Sequence, residues 1–88
     1  MAQDSDSHVV TVQPSLEALK TYSMAVKTEA ERGPNAAVPF FRRAIEIDPK
    51  FAVAYAELGV TYGDLAQASL AAENLKKAYE LRTDRESS

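Results

Sequence analysis

An internal repeat constrains the fold of this chain more than any other feature of its sequence. When the sequence is shifted by 34 residues, small and apolar positions fall on positions of the same kind. A fixed period of that length is typical of stacked helical hairpins, so the sequence predicts an all-α fold with two similar units. The matching positions are Met24 with Leu58, Ala37 with Ala71, Phe41 with Leu75, Ala44 with Ala78, Glu46 with Glu80, and Ile47 with Leu81.

Capping and helix-breaking residues divide the chain into four predicted helices. The hydroxyl of Ser15 can accept a hydrogen bond from a free backbone N–H in the first turn of a helix. Pro34 disfavours helical angles at Gly33, and it is itself suited to the first position of the next helix. Asp48-Pro49 and Ala66-Gln67 are the remaining breaks. The predicted helices lie between Ser15 and Gly33, from Pro34 to Ile47, from about Phe51 to Leu65, and from about Ala68 to Leu81 or beyond.

Two residues inside these helices carry an expected cost. Pro39 removes one backbone hydrogen bond from its helix, and we expect the resulting bend to point away from the core. Gly59 costs about 1 kcal/mol relative to alanine in a helix interior. Close approach of a neighbouring helix to its bare backbone would compensate for that cost.

Apolar residues recur at three- and four-residue spacing, as expected for helices that bury one face. The first helix carries its apolar stripe on Leu16, Leu19, Tyr22, Val26 and Ala30, and Met24 and Ala25 widen it. The third helix places Ala54, Tyr55, Leu58 and Tyr62 on one side.

The composition indicates one small globular domain. Of the 88 residues, 45% are hydrophobic and 26% are charged, which is ordinary for such domains. Residues 1–14 are rich in Asp, Ser and Gln and show no helical period, so they are predicted to be a flexible tail. The two-repeat domain is predicted to cover residues 15–83, followed by a C-terminal extension of residues 84–88.

Charge and hydropathy argue against several classes of partner. The net charge is −3 and the basic residues are dispersed, whereas nucleic-acid binding relies on clustered Lys and Arg. No apolar run approaches the roughly 18–20 residues that span a bilayer. The first residues lack the basic and apolar regions of a signal peptide, and there is no cysteine. We therefore expect a cytoplasmic protein with no nucleic-acid or membrane partner.

Candidate catalytic and metal-ligating residues are few. His8 is the only histidine and lies in the predicted tail, where a single imidazole is a poor ligand set. Glu57 and Asp64 share a helix face, but general acid–base catalysis needs a cleft around such a pair. Serine and threonine hydroxyls have no histidine partner on the predicted helices. We therefore expect no enzyme activity, no metal and no cofactor.

The two units resemble tetratricopeptide repeats. The resemblance covers about residues 18–83, and it implies helix-turn-helix hairpins in a right-handed superhelical stack. In the first unit, Thr21 and Thr28 stand where the family has aromatic residues, so its first helix is expected to pack less tightly. The matching residues are Tyr55, Leu58, Gly59, Tyr62, Ala71, Leu75 and Ala78 in the second unit, and Ala37, Phe41, Ala44 and Pro49 in the first.

The resemblance also implies a binding groove. In the family, the first helix of each unit lines a concave groove that holds peptides or helices. The groove would be mostly apolar with acid at one end, and it lacks the basic and asparagine residues by which some members hold a carboxylate. An amphipathic helix or an apolar peptide is therefore the expected ligand. The groove residues implied here are Leu19, Tyr22, Val26, Glu29, Val53, Ala56, Val60 and Asp64.

The fourth helix offers a second candidate surface. Repeat arrays usually need about three units with polar caps, and no separate capping helix is expected after Leu81. The apolar residues of the fourth helix cannot all face the preceding helix, and exposed apolar patches mark interfaces. We therefore expect a homodimer, or stacking on a further repeat, through Leu70, Leu75 and Tyr79.

A finer resemblance concerns the segments SLEALKTYSMAVKT and PFFRRAIEIDPKFAVAYAELGV. They are similar to repeat segments downstream of the catalytic domain in some bacterial serine/threonine protein kinases. The chain itself has no glycine-rich phosphate loop and no catalytic-loop signature. Three functions thus stay open: a protein-interaction module, a self-association element, or a regulatory fragment of a bacterial signalling kinase.

Overall fold

Four α-helices make up the part of the chain that the structure describes. The computed structural model describes residues 14–87, with side chains as far as residue 82. Helices that follow one another along the chain pack on one another, and no strand occurs within this range. The predicted all-α fold of two packed helical hairpins is confirmed. The helices are α1, Leu16–Arg32; α2, Pro34–Ile47; α3, Ala52–Asp64; and α4, Ala68–Ser87.

The chain ends bear on the predicted domain boundaries. Apart from Pro14, the predicted tail with His8 lies outside the described residues. Helix α4 continues to Ser87, so its backbone crosses the boundary predicted after residue 83. The division into tail, domain and extension stays a prediction.

The caps of the first hairpin agree with the sequence and add one contact. Ser15 Oγ accepts a hydrogen bond from the backbone N–H of Ala18 at 3.1 Å. Gly33 follows α1 with a φ of 97°, which glycine adopts without a side-chain clash. Asp48 Oδ2 accepts from the backbone N–H of Ser15 at 3.3 Å, and Asp48 Oδ1 accepts from that of Lys50 at 3.2 Å. Asp48 therefore joins the start of α1 to the end of α2.

Two clusters of buried residues form the core, and Tyr22 packs against both. The ring of Tyr22 meets Phe41 edge to face at 5.7 Å between centroids, and it lies 5.3 Å from the ring of Phe51. Such aromatic pairs add to the stabilisation from burial. The larger cluster contains Ala25, Ala37, Phe41, Leu58, Tyr62 and Ala71, and the smaller contains Ala18, Ala44, Phe51 and Ala54.

The buried face of α1 differs from the predicted apolar stripe. Leu16 is 69% exposed, Leu19 is 42% exposed and Val26 is 43% exposed. Ala18 and Ala25 are instead fully buried. These small side chains let a neighbouring helix approach closely, so the alanine face of α1 packs inward. Taken as the core-facing side of α1, the stripe is wrong at Leu16, Leu19 and Val26, which are left accessible, whereas its members Tyr22 and Ala25 do pack in the core.

Gly59 is close to α4, as its position inside α3 predicts. A Cβ atom at residue 59 would lie 2.7 Å from Cγ of Leu75 and 3.2 Å from the carbonyl oxygen of Ala71. The expected close approach is therefore confirmed, and it brings α4 against α3. Pro39 lies inside α2 with an exposed side chain, while the direction of any bend there stays a prediction.

Candidate functional site

Helices α1 and α3 lie side by side and run in the same direction. Near their N-terminal ends, Tyr22 of α1 packs on Phe51, which precedes α3. Near their C-terminal ends, Thr61 Oγ1 of α3 lies 3.4 Å from Glu29 Oε2 of α1. The two helices thus present one common surface, here called the α1–α3 face, and the predicted groove residues all belong to these two helices.

Two apolar rows on the α1–α3 face are accessible. Leu19 and Val26 of α1 are 42% and 43% exposed, and Val53 and Val60 of α3 are 53% and 52% exposed. The members of each pair are seven residues apart, which places them on one side of their helix and about 10 Å from each other along it. Ala56 is half-buried on the same side of α3. The described part of the chain therefore leaves four sizeable apolar side chains accessible, as one row on each of the two neighbouring helices.

Tyr22 lies deeper than the other predicted groove residues. It is half-buried, and its ring belongs to the contacts of both core clusters. Burial raises the pKa of Tyr22 above its ordinary value of 10.0, and the carboxylates of Glu57 and Glu29 raise it further. The phenol therefore stays protonated at neutral pH beside two acidic groups.

Three of the carboxylates on α1 and α3 bear on this face, and two of them lie at the C-terminal ends of these helices. Glu29 is in the last turn of α1, Asp64 is the last residue of α3, and Glu57 lies between Val53 and Val60 on α3. Among the described residues, none of these carboxylates is within ion-pair distance of a lysine or arginine. The α1–α3 face thus has one carboxylate midway along α3, beside the apolar rows, and two more at its C-terminal end.

Glu57 and Thr61 belong to this face although neither was among the predicted groove residues. Glu57 follows Val53 by four positions and precedes Val60 by three, so helical spacing alone could have placed it there. Thr61 is fully buried between the helices, and its hydroxyl donates to the carbonyl oxygen of Glu57 at 2.8 Å. Its contact with Glu29 joins residues 32 positions apart, which local spacing does not reveal.

The outer side of α4 carries the predicted self-association residues. Leu70 is 37% exposed, Leu75 is 44% exposed and Tyr79 is 70% exposed. Ala71 is buried, so α4 does leave part of its apolar surface uncovered within the described range. Leu75 differs from the other two because its side chain also contacts α3 at Gly59.

Other chemistry is sparse in the described residues. No group of three or more His, Cys, Asp or Glu residues there could hold a metal ion. None of the helices in this range has the length and apolar character needed to cross a membrane. A shallow depression between α3 and α4 mixes charges of both signs around Tyr55, whose pKa is raised by burial. It is lined by Tyr55, Glu73, Asn74, Lys76, Lys77 and Glu80.

Comparison with known families matches two stretches of the chain to the tetratricopeptide repeat. The matches cover residues 34–51 and 52–85, which together are more than half of the chain. The second match takes in α3 and nearly all of α4, whereas the first begins at α2 and leaves out α1. Comparisons with curated proteins and with solved structures give no match.

The matches leave out the helix whose sequence departs most from the family pattern. The omitted helix, α1, is the one in which Thr21 and Thr28 replace the aromatic residues of the family. Tetratricopeptide repeats generally mediate protein–protein interactions, and domains built from them are typically non-catalytic. On this evidence the chain belongs to the tetratricopeptide repeat family.

Proposed function

We propose that this chain is a non-catalytic module that binds a helix or an apolar peptide of another protein on its α1–α3 face. The observation that carries the proposal is the pair of apolar rows, in which four side chains are each about half exposed although α1 and α3 both contribute to a buried core. Apolar side chains gathered on one face mark an interaction surface. A partner that covered them would gain the hydrophobic free energy that folding of the described part leaves unused.

Substitution of Val60 tests this proposal. Proteins captured on the immobilised chain would be identified and purified, and their affinity measured by calorimetry for the wild type, Val60→Glu and Tyr79→Glu. The glutamate at residue 60 would bury an unpaired carboxylate under an apolar ligand, so we expect at least a tenfold loss of affinity. Tyr79→Glu is the matched control, since Tyr79 is on α4 and 70% exposed.

The outcome is interpretable because both positions are exposed and both variants should fold, which circular dichroism checks. Wild-type affinity in Val60→Glu would contradict binding on the α1–α3 face. A loss in Tyr79→Glu with none in Val60→Glu would move the site to α4.

Self-association through α4 is a second candidate, favoured by the exposure of Leu70, Leu75 and Tyr79. Leu75 occupies the position that Phe41 has in the first hairpin, where a following helix covers it. A second copy could cover Leu75 in the same way. Light scattering over a concentration series should give the mass of a dimer, and Tyr79→Glu should return it to the monomer. A wild-type monomer at high micromolar concentration would contradict self-association.

The remaining finer predictions concern the context of the chain. A cytoplasmic location and a place in a bacterial signalling kinase rest on composition and on the resemblance of two segments. The sequence that flanks this chain in its gene tests the second idea, since a kinase domain upstream would support it.

A further inference from the structure

The charges around the apolar rows distinguish between possible partners. We infer that the α1–α3 face takes an amphipathic helix whose apolar stripe ends in a cluster of lysine or arginine side chains. This inference rests on the proposed function, for which it names the chemistry of the partner.

The spacing of the apolar rows fits a helix better than an extended peptide. Leu19 with Val26 and Val53 with Val60 form two parallel rows, each about 10 Å long. A helix presents side chains on one face at three-, four- and seven-residue spacing, which matches rows of this kind. One recurring way for an extended peptide to gain affinity is to pair with a strand edge. The described part of the chain has no strand to offer one.

The acidic end of the face is placed where a cation is favoured. Glu29 and Asp64 lie at the C-terminal ends of α1 and α3, and the free carbonyl groups of helix C-termini add partial negative charge there. A basic residue is the stabilising choice in a last turn, yet the last turn of α3 has none and ends on Asp64. A cationic ligand would relieve this repulsion. Glu57 and Glu29 also act together on Tyr22, so their negative potential extends onto the face.

Among the described residues, no lysine or arginine is within ion-pair distance of these carboxylates, although Arg32 also lies in the last turn of α1. Helix α3 contains no lysine or arginine. On α1, Lys20 and Lys27 each follow an apolar-row residue by one position, which turns them about 100° round the helix. That rotation carries them away from α3, because Tyr22 and Glu29, which contact the α3 side, lie in the opposite direction. An acidic helix would therefore meet three carboxylates that form no ion pair within the described part of the chain, whereas a basic helix would pair with them.

Two synthetic peptides of about 15 residues test the inference on the full chain. Both carry the same apolar stripe, and one end bears three lysines in the first peptide and three glutamates in the second. Fluorescence anisotropy at low ionic strength should show the lysine peptide binding about tenfold more tightly or better, since several exposed charge pairs each contribute modestly. The difference should shrink as salt is added.

Paired variants of the chain separate local charge from net charge. Glu57→Gln with Asp64→Asn removes two carboxylates from the α1–α3 face and should reduce the preference for lysine severalfold. Glu73→Gln with Glu80→Gln removes two carboxylates from α4 and changes the net charge by the same amount. This control should keep the wild-type preference. Equal reduction in the two double variants would show that the net charge of the chain sets the preference, which overturns the inference.

The remaining outcomes separate this inference from the proposed function. Equal affinity for the two peptides, abolished by Val60→Glu, would overturn the inference and support the apolar binding face. Tighter binding of the glutamate peptide would also overturn it. Binding of neither peptide at millimolar concentration would contradict both the inference and the proposed function.

Discussion

The two hairpins have equivalent positions, and several of these positions are buried in one hairpin and accessible in the other. Phe41 of α2 is fully buried, and its equivalent on α4, Leu75, is 44% exposed. Leu58 of α3 is 3% exposed, and its equivalent on α1, Met24, is 52% exposed. The difference arises because α2 and α3 each pack extensively against two helices, whereas α1 packs extensively only against α2, and α4 only against α3. Burial of a repeat position thus depends on the neighbouring helix as well as on the residue type.

The residues of the outer helices are adjusted to this difference. Thr28 of α1 is half-buried where its equivalent Tyr62 is 7% exposed in the core. A large aromatic residue is stabilising only where other side chains surround it, because its contribution comes from buried area. The same end effect leaves Tyr79 accessible on α4. Each prediction below compares the two hairpins at a chosen position.

The largest difference is expected between Phe41→Ala and Leu75→Ala. Loss of the fully buried phenylalanine should lower the free energy of unfolding by about 3–5 kcal/mol, which a domain of this size can barely tolerate. Loss of the half-exposed Leu75 side chain should lower the free energy of unfolding by only about 1–2 kcal/mol. Urea denaturation followed by circular dichroism measures both. Equal losses would mean that the outer side of α4 is covered in solution.

Gly59→Ala tests the contact between α3 and α4. The added Cβ would lie 2.7 Å from Cγ of Leu75, so we expect a net loss of about 1–3 kcal/mol in unfolding free energy. The matched control is Gly63→Ala on the same helix, where a Cβ meets nothing within 4 Å. Gly63→Ala should raise the free energy of unfolding by about 0.5–1 kcal/mol, because alanine has the higher helix propensity.

A double variant identifies the cause of the loss at residue 59. Combined with Leu75→Ala, Gly59→Ala should cost less than the sum of the two single changes, because the shorter side chain removes the clash. Additive effects would indicate that the strain lies with the carbonyl oxygen of Ala71 instead.

Ala66→Gly compares the turns of the two hairpins. The first hairpin turns at Gly33 with a φ of 97°, while the second places Ala66 at a φ of 61°. A left-handed conformation costs alanine about 1–2 kcal/mol, partly offset by the greater chain entropy that glycine loses on folding. We therefore expect Ala66→Gly to raise the free energy of unfolding, measured by thermal unfolding, by about 0.5–1 kcal/mol. A loss would contradict the strain assigned to Ala66.

Two tyrosines in different hairpins provide a pH test of the acidic end. Burial raises the pKa of both Tyr22 and Tyr55, but only Tyr22 is also affected by carboxylates, those of Glu57 and Glu29. Glu57→Gln should therefore lower the pKa of Tyr22 and leave that of Tyr55 unchanged, as followed by tyrosinate absorbance with Tyr22→Phe as the reference. No change at Tyr22 would place Glu57 away from the α1–α3 face.

The same shift has a consequence for stability. The pKa of Tyr22 is higher in the folded chain than its ordinary value of 10.0. The stabilisation of the folded state that comes from this shift is therefore fully present below pH 10.0. It is lost as the pH rises through the folded-state value. Glu57→Gln should reduce the part of this alkaline loss that arises at Tyr22.

Much of the fold could be predicted from the sequence because its signals are local or periodic. The repeat of 34 residues predicts two hairpins, and Ser15, Gly33 and Pro34 set helix ends that the structure reproduces. Gly59 predicts a close helix contact because a bare backbone inside a helix needs a compensating neighbour. These features depend on short stretches of chain.

The features that were missed depend on contacts between distant residues. Apolar spacing placed Leu19 and Val26 in the stripe of α1, but the structure leaves them accessible and buries Ala18, whose small size matters only when a neighbouring helix is present. The hydrogen bond from Ser15 to Asp48 joins residues 33 positions apart. The groove residues came from the family resemblance, and whether they bind a partner stays a prediction.

The most direct test of the account is a map of peptide binding by amide NMR shifts. Titration of the labelled chain with the lysine peptide should move the amide signals around Leu19, Val26, Val53 and Val60, with little change on the outer side of α4. Shifts centred on Leu75 and Tyr79 would contradict the account and assign binding to α4. Shifts around the two apolar rows would establish the α1–α3 face as the interaction surface.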